Sequence, residues 1–268
     1  MIYPSTVSCI AKKYIMQKLK TFEKLHNVRI ILAIESGSRA WGFPSSDSDY
    51  DVRFIYIRHP HDYLSISPQR DVLETDIIHD TQLGVPFDLN GWDARKALQL
   101  ALKSNPVLIE WLQSPILYIK NEILVTDLMQ YTQKTADLEH IKKHYYKLMN
   151  VVWENIKKQK TVKIKHYCYA LRPALAFKWI NNHNSLAPMD IFSLYTGLKS
   201  YINFEHDLAK LITLKATTKE LDTIARNEKI DAFIESIACL SVDQSYKTTN
   251  EIYRTEGDQL FRNMLKVK

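Results

Sequence analysis

Two apolar runs, Ile30-Ile31-Leu32-Ala33-Ile34 and Val52 through Phe54, Ile55, Tyr56 and Ile57, predict the first two strands of the chain. Upstream, Ile10, Tyr14, Ile15, Leu19 and Phe22 recur at helical spacing among lysines, which predicts an amphipathic helix from about Ser5 to Leu25. Between the strands, Ser38 to Phe43 predicts a short helix with Ser38 as its N-cap, and Pro44 to Ser48 a polar turn. Short runs at Asp71-Val72-Leu73-Glu74 and Val85-Pro86-Phe87-Asp88-Leu89 predict two more strands, the second leaving the sheet near Gly91. Asp93 is placed to cap a helix carrying Ala94, Ala97, Leu98, Leu100, Ala101 and Leu102, and Asn105-Pro106 to start the next, through Trp111 and Leu112.

Beyond about Thr126 the strand signals fade and long helical patterns take over, apart from a brief alternation at Thr161-Val162-Lys163-Ile164. Lys165 to Asn181 reads as a helix that Pro173 either kinks or begins. The whole predicts an α+β chain: a mixed β-sheet flanked by helices over residues 1–125, followed by an all-α domain over 126–268.

With 268 residues, 46% hydrophobic and 25% charged, the chain has the make-up of a globular protein, which argues against disorder and fibres. No segment has the length of a transmembrane helix, so a membrane partner is not expected, and Met1-Ile2-Tyr3-Pro4 lacks the features of a secretory signal. The expected compartment is the cytoplasm. Cys9, Cys168 and Cys239, odd in number and far apart, fit reduced buried thiols better than a disulfide or zinc framework. The formal charge of +6 concentrates in the basic stretch from Lys134 to Lys178, where a polyanion can be attracted or a lysine-rich helix simply solvated.

The candidate chemistry lies between the first two strands. Asp49 and Asp51, one residue apart at the entry of a strand, point to the same face and repel each other. Hard oxygen ligands of this kind favour Mg²⁺ or Mn²⁺ as the compensating cation. Gly37 and Ser38, closing the preceding strand, allow a phosphate to approach backbone N–H groups. A calcium loop beginning at Asp47 is excluded, because its sixth and twelfth positions hold Val52 and Arg58. The remaining alternative is an aspartate-rich surface turn.

Gly-Ser, a spacer, then Asp-x-Asp entering an apolar strand resembles the signature of the DNA polymerase beta-type nucleotidyltransferase superfamily. More narrowly, Gly37-Ser38-Arg39-Ala40-Trp41-Gly42, Ser46-Asp47-Ser48-Asp49-Tyr50-Asp51-Val52-Arg53, Gly91-Trp92-Asp93, and Ser104-Asn105-Pro106 with Glu110-Trp111-Leu112 resemble predicted nucleotidyltransferases associated with RNA ligases. Tyr169-Ala170-Leu171-Arg172-Pro173 extends the likeness more weakly. The resemblance implies that residues 1–125 form a nucleotidyltransferase catalytic domain, and that a third carboxylate joins Asp49 and Asp51. Asp88 is the choice, with Asp71 and Asp93 as competitors; Asp93 is more economically a helix cap.

The implied reaction attaches an NMP from an NTP to a hydroxyl and releases pyrophosphate. Asp49 and Asp51 hold two Mg²⁺ (or Mn²⁺) ions, Asp88 joins them at the metal nearer the attacking hydroxyl and takes its proton, and Gly37, Ser38, Arg39 and Ser48 attend the nucleotide's phosphates. Trp41 reads as a packing residue.

In the second half, Lys165, Tyr169 and Arg172 stand at i, i+4 and i+7, along one helical stripe suited either to an NTP or to packing with charges at the rim. Tyr145, Tyr146, Tyr167 and Tyr169, among lysines, suit stacking on unpaired bases or a core. The acceptor classes left open are an RNA 3′ end, a hydroxyl of a partner protein, as in antitoxin-like transferases, and a small molecule. The rival from another class is a non-catalytic nucleotide- or RNA-binding module, for which two repelling aspartates serve little purpose.

Overall fold

A computed structural model describes residues 7–79, 83–218, 222–240 and 251–266. The expected start of the first helix at Ser5 and the N-terminal tetrapeptide lie outside these. Among the described residues the chain divides into two compact units that interleave in sequence. One comprises 7–37, 49–136 and 251–266; the other comprises 38–48 and 137–240. The hydrophobic pattern led instead to a single boundary near residue 126.

The first unit is built on a five-stranded mixed sheet. Its strands are β1 (Val28–Glu35), β2 (Tyr50–Arg58), β3 (Val72–Glu74), β4 (Phe87–Asp93) and β5 (Leu117–Lys120), in the order β3-β4-β2-β1-β5. β2 and β4 run parallel; the other neighbouring pairs are antiparallel. Helix α1 (Cys9–His26) begins where the Ser8 hydroxyl accepts from Ala11 N–H and ends at Asn27, whose left-handed backbone (φ 50°) stops it. Ala11, Ile15, Leu19 and Phe22 of α1 cover one sheet face with Tyr50, Val52, Phe54, Tyr56, Phe87 and Leu89. The opposite face, with Ile55 and Ile57, is covered by α3 (Ala94–Leu102), α4 (Pro106–Leu112), α5 (Glu122–Thr135) and Met264 of the terminal helix (Glu251–Lys266).

Asp93 caps α3 and Asn105 caps α4 with Pro106 in its first turn, as the sequence predicts. Strand β4 does not leave the sheet at Gly91. Gly91 sits within the strand in register with Phe54, and a Cβ there would lie 2.0 Å from the Phe54 ring, so glycine keeps the strand paired beneath an aromatic. The edge strand β5 is short and carries no distinguishing pattern, which is why it escaped the sequence reading.

The second unit holds α6 (Leu138–Ile156), α7 (Ile164–His183), α8 (Ile191–Leu198), α9 (Glu205–Thr217) and α10 (Glu228–Ala238), with α2 (Gly37–Trp41) entering it from the β1 end. Thr161–Lys163, the exception noted in the sequence, becomes β6 and pairs with β7 (Thr223–Ala225), so this half carries a small ribbon among its helices. Helix α7 starts at Ile164 and contains Pro173, so the proline does not mark its start. Tyr145 and Tyr167 are buried in the core, and half-buried Tyr146 and buried Tyr167 donate their hydroxyls to the Ala238 and Asn227 carbonyls.

Of the cysteines only Cys168 is buried, its thiol pushed up to about 12 by burial; Cys9 and Cys239 are exposed. Both exposed positions fall at helix ends, outside the apolar stripes. No described helix is long and apolar enough to cross a membrane.

Candidate active site

In the sheet unit the acids are positioned by strand alternation. Asp51 and Arg53 lie on the β2 face shared with Ile55 and Ile57, and Asp88 is the direct register partner of Asp51 across the parallel pair. Carboxylates at opposed positions, roughly 5 Å apart, repel by about 3 kcal/mol at an effective dielectric near 20. Arg53 offsets this: its guanidinium donates to Asp51 Oδ1 at 2.8 Å and to Asp88 Oδ2 at 2.9 Å. One positive charge faces two negative ones, so the trio keeps a net negative charge.

Asp51 is fixed from behind by two features. Its backbone N–H donates to Glu35 Oε1 (2.9 Å), while Glu35 Oε2 accepts from the Tyr118 hydroxyl (2.5 Å) in a fully buried position. At the end of β1, Gly37 adopts φ 58°, and a Cβ there would come within 1.9 Å of Asp51 Oδ2. Glycine therefore serves the turn and leaves room for the carboxylate.

Asp49 stands just ahead of β2, exposed to solvent, because the strand register begins at Tyr50. Among the described residues no three His, Cys, Asp or Glu side chains are grouped to hold a metal ion. The competitors are committed elsewhere. Asp71 pairs with Lys96, and buried Asp93 accepts from Arg95 N–H and the Tyr63 hydroxyl, its carboxyl raised above the usual range by burial.

Mg²⁺ characteristically takes one or two protein carboxylates, with waters and substrate phosphates completing its shell. Asp51 and Asp88, two carboxylates on one rung of the sheet, fit that donor set in number and type.

In the helical unit, the segment 38–48 is organised by hydroxyls. Ser38 Oγ donates to Ser48 Oγ at 3.1 Å, Ser45 Oγ lies 3.0 Å from the same atom, and Ser45 N–H donates to it at 2.9 Å. Lys215, 1% exposed, donates to Ser45 Oγ at 2.8 Å, and Arg39 to the Ser48 carbonyl at 2.6 Å. Ser38 is thus in the first turn of α2 rather than its cap, which follows from the helix starting at Gly37.

The stripe Lys165, Tyr169 and Arg172 meets this segment through its aromatics. The Tyr169 ring is edge-on to Trp41 at 5.5 Å, and the Lys165 ammonium lies 5.6 Å from the Tyr169 centroid. Arg172, 2% exposed, donates to the Met189 carbonyl at 2.8 Å and lies 4.9 Å from the Trp41 ring centroid.

Three residues that hold these segments were not expected from the sequence: Glu35, Arg53 and Lys215. The first two are adjacent to the motif, Glu35 ending the apolar run and Arg53 two residues after Asp51. Lys215 gave no signal, because its partner Ser45 is 170 residues away.

Residues 11–263 match the family model RlaP, described as the RNA repair pathway DNA polymerase beta family. YcgL of Bacillus subtilis (strain 168), an uncharacterised protein, is 41% identical over 228 residues, covering 84% of each chain. A solved nucleotidyltransferase-like protein from Exiguobacterium sibiricum 255-15 aligns over 84% of this chain and 74% of its own at 11% identity, with a TM-score of 0.30.

Proposed function

The chain belongs to the RNA repair pathway DNA polymerase beta family, and from that premise we propose that it transfers an NMP from an NTP to a hydroxyl, with release of pyrophosphate. The observation that carries this reading is the register pairing of Asp51 with Asp88, two carboxylates brought to one side of the sheet with only one guanidinium between them.

In this proposal Asp51 and Asp88 hold Mg²⁺ (or Mn²⁺), with Asp49 joining at the strand entry. When bound there, the metal would neutralise the acids, grip the triphosphate and lower the pKa of the acceptor hydroxyl. Asp88 also accepts the proton of that hydroxyl as its oxygen attacks the α-phosphorus in line. Ser38 and Arg39 serve the phosphates, Gly37 exposes backbone N–H groups to them, and Ser48 keeps the segment in shape. Tyr169 offers a stacking face and Lys165 a charge, while Arg172 holds Trp41 in place.

The family's description names an RNA repair pathway; an RNA 3′ end is the acceptor proposed, and the cytoplasm the compartment proposed. The test incubates purified protein with Mg²⁺, each α-labelled NTP and a pool of RNAs. Label on RNA is the expected result. Label on protein would identify a protein-modifying transferase, and NTP binding without transfer would identify a binding module.

A further inference from the structure

We propose that Arg53 is a positioning residue that sets the rotation of both metal-binding carboxylates; this rests on the metal-dependent reading above. Asp51 and Arg53 are two residues apart on one strand face, and Asp88 is on the neighbouring strand. Left to themselves, two such carboxylates turn apart. The guanidinium's planar fork sends NH2 to Asp51 Oδ1 and NH1 to Asp88 Oδ2, one oxygen of each acid, and NH1 also donates to the Val52 carbonyl at 3.1 Å.

Each carboxylate has two oxygens and about four acceptor sites, so a bond to Arg53 at one oxygen leaves capacity at the other. At Asp51 that other oxygen, Oδ2, packs against Gly37, in the place a Cβ would take. Arg53 itself is held: its side chain is 19% exposed, those of Asp51 and Asp88 24% and 25%. Hydrogen-bonding partners behind ligating groups typically change metal affinity by about 10–100-fold when removed. A competing cation would have the opposite effect, because removing it would tighten metal binding.

The experiment measures Mn²⁺ binding by electron paramagnetic resonance, without nucleotide, for wild type, Asp51→Asn, Asp88→Asn, Arg53→Met and Arg53→Lys, each checked for folding by circular dichroism. The expected result is loss of binding in both aspartate variants and a roughly 10–100-fold weakening in Arg53→Met. Arg53→Lys should fall between wild type and Arg53→Met, because a point charge cannot span both acids in fixed geometry. Unchanged or tighter binding in Arg53→Met overturns the proposal and leaves the metal site standing. Aspartate variants that bind like wild type overturn the metal reading itself. If Arg53→Met does not fold, Arg53→Lys decides: weaker Mn²⁺ binding supports the proposal and unchanged binding overturns it.

Discussion

Asp51 and Asp88 occupy the same rung of the parallel β2–β4 ladder and share one guanidinium, that of Arg53. The rung places two carboxylates on one face without a loop having to position either.

Neutralising either acid should separate their roles. Asp51→Asn is expected to lower NMP transfer at least roughly 100-fold by loss of metal, with the fold intact. Asp88→Asn should slow single-turnover chemistry more than it weakens NTP binding. Quench-flow with labelled NTP, alongside equilibrium NTP binding, reads both quantities.

Gly37→Ala should displace Asp51, since the new Cβ would fall 1.9 Å from its Oδ2 on a backbone at φ 58°. The expected cost is roughly 1–3 kcal/mol of stability, with a fall in transfer rate. Urea unfolding and a transfer assay on the same preparation check it.

Lys215→Met removes a buried ammonium that anchors Ser45, and through it Ser48 and Ser38. Stability should drop by about 1.5–3 kcal/mol, and the KM for NTP should rise more than kcat falls. Equal stability and unchanged KM would remove Lys215 from the phosphate-binding arrangement.

Asp93 carries a folded-state pKa raised by burial. Its contribution is therefore fully present below the unfolded carboxylate value, near 4, and is lost as pH rises through the higher folded value. Asn, also an N-cap former, does not titrate. The stability of wild type relative to Asp93→Asn should decline from about pH 4 upward, as urea unfolding across pH 3 to 8 would record. A rise with pH would reverse the assignment.

Thiol labelling should follow burial. Cys9 and Cys239 should alkylate in the native protein, whereas Cys168, its thiol pushed up to about 12, should react only on unfolding. Peptide mass spectrometry after iodoacetamide treatment, with and without urea, distinguishes the sites.

Much of the fold was legible because periodicity and capping act over a few residues. The apolar runs at Ile30 and Val52, the caps at Asp93 and Asn105 and the helical stripe of α1 all report local physics. What local pattern missed depends on register. Gly91 looked like a strand exit until the Phe54 ring above it was placed, and Arg53 gained its role only when Asp88 arrived from a strand more than thirty residues on. Asp49 shows where alternation stops being a guide, since the β2–β4 register begins only at Tyr50.

The β2–β4 ladder also makes the pairing of Asp51 with Asp88 sensitive to chain length. Phe87 and Asp88 face opposite sides, one into the apolar layer against α1 and one toward Arg53. Deleting one residue in the opening of β4 would exchange them, burying a charge and exposing a ring. The connection from Pro60 to Arg70 has no such parity to keep, whereas a single residue lost beside Pro86 would take Asp88 off the rung it shares with Asp51.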